Sequence, residues 1–536
     1  MATETQPDGQ FGRVSRVRGL VFEYSTLAAS VFGILSLAVL LAFVFWDAFG
    51  LGAAESTWIG AFVALVIGPA VGAVLLARRF PVARTVGLEL FATTMGGILG
   101  GFGVLVILDV IAGPDVWFSY FVAVIAPMIG VVLYGRYDPE ANWIGLGVLF
   151  VAVFGSVGAT LFHDTLGMLE AMLGAPGVYL VSLTVPTALG IRFLVAEYTD
   201  LGEGNLAAAA VVAAGAGGMF LVGSVPLVTR SVWLIFLTTF VAPGGFVVAR
   251  TLADRDRWIG FAGPAAVLAG VGVLAWVTDS LGLEGPSPWF DWQFLTSAPS
   301  STASEAGLYP AIIGSVFIIV LVALITLFLG VGAALYLEEY ASSSGLRGKI
   351  TRLIRINISN LAGVPSVVYG LLGLAMFARL AGTGVGTVMT AALTLSLLIL
   401  PIVIISAREA IASVPDSLRQ ASYGMGATRW QTTRRVVLPR AVPGILTGTI
   451  LALGRAIGET APLIMIGVAT TRYTPPNGLF GKTTAMPMQV FTWANFPSQA
   501  FQYGVVAAGV VTLLVVLLTM NSIAVLLRNK FEQGDL

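Results

Sequence analysis

The sequence predicts an all-α, polytopic integral membrane protein of about fourteen transmembrane helices. Three observations carry that reading. The 536-residue chain is 57% hydrophobic and only 10% charged, with a mean hydropathy of +0.92, whereas a soluble protein carries about a quarter charged residues. Its apolar residues fall in charge-poor runs of about 20, the length at which a helix crosses a hydrocarbon core of roughly 30 Å. Lys and Arg gather on alternate segments between the runs, as the resistance of these residues to translocation requires.

Taken in order, the runs lie near 26–46, 57–77, 91–112, 116–135, 141–162, 171–191, 205–229, 231–249, 258–278, 308–337, 360–378, 384–407, 441–468 and 503–527. The first is too long and too late for a signal-peptide core, so a retained span is expected. With the N-terminus inside, only Arg230, Arg379, Arg472 and Lys482 of the 28 basic residues fall outside, and Arg455 lies within a run. A multi-pass protein of the cell membrane with both termini cytoplasmic is therefore expected. Trp117, Trp143, Trp258 and Trp289 read as interfacial anchors.

Organisation changes near residue 250. Residues 1–250 read as a membrane domain of about eight spans with short loops, rich in Gly and Ala, and no function follows from it. Residues 251–536 carry two long external loops, 279–307 and 470–501, and a long internal one, 408–440. No short tandem repeat is found.

Composition excludes several classes. Lys+Arg and Asp+Glu are equal at 28 each, which removes nucleic acid as a bulk partner, and zero Cys excludes thiol chemistry and Cys-ligated metals. No metal site is expected, because His163 is the single histidine; beside Asp164 it reads as an interfacial pair. Gly481-Lys482-Thr483 lacks the earlier glycine of a phosphate-binding loop, position 476 being proline, and the topology places it outside. Gly382, Gly384 and Gly386 form a turn and not a dinucleotide fingerprint. Asp109 sits close enough to an interface to reach water.

The internal loop has helical grammar. Pro415 suits a first turn, Leu418, Ala421 and Met425 share one face, and Gly424 and Gly426 permit a reversal. Thr428 and Gln431 have capping-box spacing, and Pro439 is expected to end the second helix. Such a hairpin fits a partner's groove, with a loop that only fixes topology as the alternative. In the thirteenth run, Arg455 and Glu459 stand four apart, which predicts a shared helical face. Charges at membrane depth mark a substrate path or pair with each other to hold helices together, and both readings stay open here.

Gln420-Ala421-Ser422, Gly426, Val436, Leu438 and Pro439 resemble the Glu-Ala-Ala signature of ABC-importer permeases, with Gln420 in place of Glu, Ser422 in place of the second Ala and Val436 in place of Ile. The segments 304–315, 336–341, 360–374, 426–448 and 454–463 are similar to phosphate ABC-transporter permeases of the PstA type, over about 258–536. The resemblance implies a six-helix type I importer core and a subunit forming half of a phosphate pathway. As partners it implies a second permease subunit, a dimer of ATP-binding subunits and an external phosphate-binding protein, besides membrane lipid. Gln420, Ala421, Ser422, Met425, Gly426, Leu438 and Pro439 would couple to the ATPase, and Arg455 and Glu459 would line the substrate path. The chain would be no enzyme and hold no cofactor; ATP and Mg would be used by the partner. The rival readings are a permease for another oxyanion, such as sulfate or molybdate, and an ion-coupled secondary transporter.

Overall fold

The structure, a computed structural model, describes residues 16–105, 108, 113–137, 144–198, 204–222, 229–341 and 344–532. Its helices are α1 (Arg16–Ala48), α2 (Ser56–Arg79), α3 (Pro81–Leu105), α4 (Gly113–Gly135), α5 (Ile144–Leu161), α6 (Thr165–Val195), α7 (Gly204–Leu221), α8 (Arg230–Ala253) and α9 (Arg255–Leu281). There follow α10 (Trp292–Thr296), α11 (Tyr309–Tyr340), α12 (Gly345–Ala362), α13 (Ser366–Leu380), α14 (Val388–Ala412), α15 (Asp416–Gly424), α16 (Arg429–Ile457), α17 (Ala461–Met465), α18 (Met486–Ala494) and α19 (Ala500–Ser522).

Among the described residues, eleven helices are long and apolar enough to cross a bilayer, and the count rises to twelve only if the pair α12 and α13, bent by 105°, is one span. The expected fourteen are therefore not confirmed. The runs at 91–112 and 141–162 extend into residues outside those described, as do Asp109 and Trp143; α3 there carries Arg84 and Glu89, and α5 keeps only a short apolar stretch. The run at 360–378 is not straight. Gly363 and Pro365 break it, since the residue before a proline is driven out of the α region, and Tyr369 Oη donates to Leu361 O at 2.7 Å across the corner. Residue 250, where two domains were expected to divide, lies inside α8.

Prolines leave a common imprint. In α2, α4, α6 and α8 a five-residue π turn stands immediately ahead of Gly68-Pro69, Ala126-Pro127, Val185-Pro186 and Ala242-Pro243. Proline supplies no N–H and its ring crowds the carbonyl four residues back, and a widened turn relieves both faults while the helix continues. The same device, Thr433–Val437 ahead of Leu438-Pro439, carries α16 through Pro439. The expectation that Pro439 ends a helix is corrected accordingly.

The largest core lies in the C-terminal half, where α14 packs between α11 and α16 and buries Ile312, Ile313, Leu395, Ile399, Ala452 and Ala456. Small residues let these helices approach: a Cβ on Gly330 would meet Val403 Cγ1 at 2.7 Å. Helix α1 packs on α19, with Ala48, Ala507 and Val511 buried together.

Candidate functional site

At one end of the core bundle the chain builds a short hairpin. α15 begins after Pro415, whose fixed φ suits an entry to a helix. It ends at Gly424, and Gly426, with φ of 82°, reverses the chain in a conformation that costs an L-residue a steric clash. The capping box forms as spaced in the sequence: Thr428 Oγ1 accepts from Gln431 N, and Gln431 Oε1 accepts from Thr428 N at 2.8 Å.

The expected apolar stripe divides. Leu418 turns inward onto the cluster that holds Ile411, Val414 and Val437, whereas Ala421 and Met425 face out, Met425 being 88% exposed. Met425 lies one residue past the helix, so the 3.6 period no longer governs its direction. Gln420 and Gly426 are also exposed, Ser422 Oγ bonds Thr432 Oγ1 at 2.8 Å to tie the two arms, and Pro439 lies on the outer side of α16.

Beneath the hairpin is an ion-pair cluster that sequence reasoning missed. Arg419 donates from Nη2 to Glu339 Oε1 at 2.9 Å and to Ile411 O at 2.9 Å, and from Nη1 to Val414 O and to Asp416 Oδ1 at 3.2 Å. Its side chain is 14% exposed and that of Glu339 9%. Next to it, Glu338 accepts from Arg355 of α12 and Arg408 of α14, each at 3.3 Å. The planar guanidinium can hold several acceptors at once. Arg419 thereby fastens α15 to the ends of α11 and α14. The signal was present in the sequence as two adjacent glutamates, Glu338 and Glu339, at the end of an otherwise apolar run.

The second charged group sits where α16 stops. The helix ends at Ile457, Gly458 takes φ −93° and ψ −3°, and Glu459 follows in the gap before α17. Arg455 and Glu459 are therefore not on one continuous helical face, a correction whose cause is the glycine, a poor helix former, followed closely by Pro462. They still meet: Arg455 Nε donates to Glu459 Oε1 at 3.1 Å. The side chains are 49% and 17% exposed. Behind them the chain is filled, with Ala456, Ile457 and Leu463 closed against Ser315, Ile318, Ile319 and Leu395. Arg455 thus looks out from the surface of the bundle, with Glu459 more enclosed beside it.

Elsewhere, His163 Nε2 lies 3.7 Å from Asp115 Oδ2 and its Nδ1 is 3.3 Å from Ser119 Oγ; the side chain of Asp164 lies outside those described.

The family model described as binding-protein-dependent transport system inner membrane component matches residues 328–533. The chain is 39% identical over 180 residues to the probable ABC transporter permease protein YqgI of Bacillus subtilis, covering 34% of this chain and 60% of that protein. It is 33% identical over 222 residues to phosphate transport system permease protein PstA 1 of Mycobacterium tuberculosis, covering 41% of this chain and 70% of the relative. To the phosphate transport system permease protein PstA of Yersinia pestis it is 32% identical over 268 residues, covering 48% and 85%. The chain thus spans under two thirds of the Bacillus relative and more of the PstA proteins. With the hairpin and α12 to α19 falling inside the matched region, the chain belongs to the PstA-type ABC transporter permeases.

Proposed function

We propose that this chain is a membrane subunit of an ATP-driven phosphate importer, providing half of the translocation path and coupling to a separate ATPase through 415–439. The observation that carries the reading is the Arg455–Glu459 pair, placed at a helix break with Arg455 half exposed on the outside of a filled bundle. A charge within a membrane-spanning segment needs a partner or a wet cavity. A path along the outside of one subunit needs a second permease subunit to close it.

Orthophosphate near neutral pH carries both acceptor oxygens and an acidic proton. Arg455 can present N–H donors to two oxygens, which a lysine ammonium cannot do with the same geometry. Glu459 holds the guanidinium in place through Nε and can accept the phosphate proton; sulfate has no proton to offer at that pH. Energy comes from ATP and Mg on the partner subunit. Movement there passes through Ala421 and Met425 to α15, and through Arg419 to α11 and α14 as a rigid-body step, giving alternating access. The external loops face a phosphate-binding protein, and both termini lie on the ATPase side.

Replacing Arg455 by Gln in the reconstituted complex is expected to abolish phosphate uptake while ATP binding persists. Uptake at the normal rate overturns the reading. Uptake driven by an ion gradient without ATP favours the secondary transporter instead.

A further inference from the structure

We infer that residues 54–284 are a membrane module inserted into the permease, assembled from four copies of one helical hairpin, and that α1 belongs to the permease beyond the insertion. The chain departs and returns at a single point. Trp289 N and Phe290 N both donate to Ala48 O, at 2.9 and 3.0 Å, and Glu55 N donates to Glu284 O at 3.0 Å. Gly50, at φ 59°, presses on Ser287 O where any Cβ would collide, and the Phe49 and Phe290 rings are 5.7 Å apart. The indole of Trp289 lies on Gly504, and α1 packs on α19. Further along, Trp58 Nε1 donates to Thr278 Oγ1 at 3.1 Å, joining the first and last helices of the module.

Repetition within the module is recorded in backbone geometry. The prolines that follow the four π turns, Pro69, Pro127, Pro186 and Pro243, are 58, 59 and 57 residues apart. Four residues ahead of them stand Leu65, Ala123, Ser182 and Thr239, and 31 to 33 residues beyond those four come Gly97, Gly155, Gly215 and Gly270 on the second helix of each hairpin. These glycines meet the π turns. Gly155 abuts Ala123 O within its own hairpin, and Gly215 packs on Thr184 and Leu180 of its own. The outer two exchange: Gly270 abuts Leu65 O, and a Cβ on Gly97 would lie 2.7 Å from Thr239 O. Swapping between the first and fourth copies closes the module on itself. Trp117 and Trp233 each precede their proline by ten residues (117 to 127, 233 to 243), a remnant in the sequence of the same unit.

The test uses the full chain with protease sites placed within 53–55 and 283–286. After cleavage, detergent is raised until the pieces part, and an N-terminal tag is followed. The segment containing α1 is expected to stay with the C-terminal piece; its departure with 54–284 overturns the inference. Should the inserted sites disturb folding, the chain's lack of cysteine allows a second measurement: Ala48→Cys with Ala507→Cys, oxidised in the uncut protein, is expected to give an internal cross-link, and its absence also overturns the inference.

A different observation carries a second proposal: the geometry points to α12 as a contact for anionic lipid. The helix has Arg347, Lys349, Arg352 and Arg355 and no acidic residue. Leu346, Ile350, Leu353, Ile354 and Leu361 form an exposed apolar stripe on the side away from Thr351, Arg355 and Ile358, which are its more enclosed residues. The 105° corner to α13 lays α12 across the direction of the span. A helix so placed sinks its apolar face among acyl chains and sets its basic flank at the headgroup level. Arg355 shares Glu338 with Arg408, so this helix touches the cluster under the coupling hairpin.

In nanodiscs holding the complex, nitroxide labels on Leu353→Cys and Ile350→Cys are expected to be reached by oxygen and shielded from a water-soluble relaxer, with a label on Arg352→Cys showing the reverse. Replacing phosphatidylglycerol by phosphatidylcholine should lift the two apolar labels toward water. Shielding from both agents means that another protein covers the stripe and overturns the proposal, as does insensitivity to lipid charge.

Discussion

Arg419 shows how much of the internal hairpin rests on one side chain. Its guanidinium joins Glu339, Asp416, Val414 O and Ile411 O, nearly out of water. Removing one partner of a buried pair costs about 3–5 kcal/mol because the other charge is stranded. Arg419→Gln is therefore expected to free α15 from α11, with ATP hydrolysis continuing while uptake per ATP falls at least tenfold; an unchanged ratio of uptake to hydrolysis would show that the clamp transmits nothing. Arg455 and Glu459 were legible in the sequence because charge is conspicuous in an apolar run. Arg419 was not, since it stood among many loop arginines and its partner lies 80 positions earlier in the chain.

At the scale of elements, the hairpin was readable from local chemistry: a proline entry, a glycine reversal and a capping box are decided within a few residues. Gly426→Ala places an L-residue at φ 82°, which costs about 1–2 kcal/mol. Docking of the ATPase subunit should weaken by about tenfold, measured as a binding isotherm; unchanged affinity would remove the turn from the docking geometry. The break after α16 and the π turns escaped the sequence reading for a shared reason. A proline within an apolar run is compatible with a stop, a kink or a widened turn, and the neighbouring helix decides which. Gly155→Ala forces a methyl into Ala123 O and should lower the thermal midpoint of the full chain by several degrees, overpacking costing about 1–3 kcal/mol. Gly158→Ala, where a Cβ meets open space, is the control and should leave it unchanged.

For the whole molecule, membrane class and the PstA-type relationship followed from composition and from motifs lying between 304 and 463. The span count is not confirmed: the runs at 91–112 and 141–162 extend into residues outside those described, and hydropathy treats every apolar run as a straight crossing, whereas α12 and α13 turn a corner. The position of α1 was equally hidden: pairing of residue 48 with residue 289 is a long-range contact that no local pattern announces. The assembled account has one mechanical requirement, that an ATPase subunit grips the exposed side of the hairpin. Because the chain has no native cysteine, Met425→Cys gives a single thiol there. In an intact, transporting complex, a short cross-linker on Met425→Cys is expected to capture the ATPase subunit; failure to capture it while ATP-driven uptake proceeds would contradict the account.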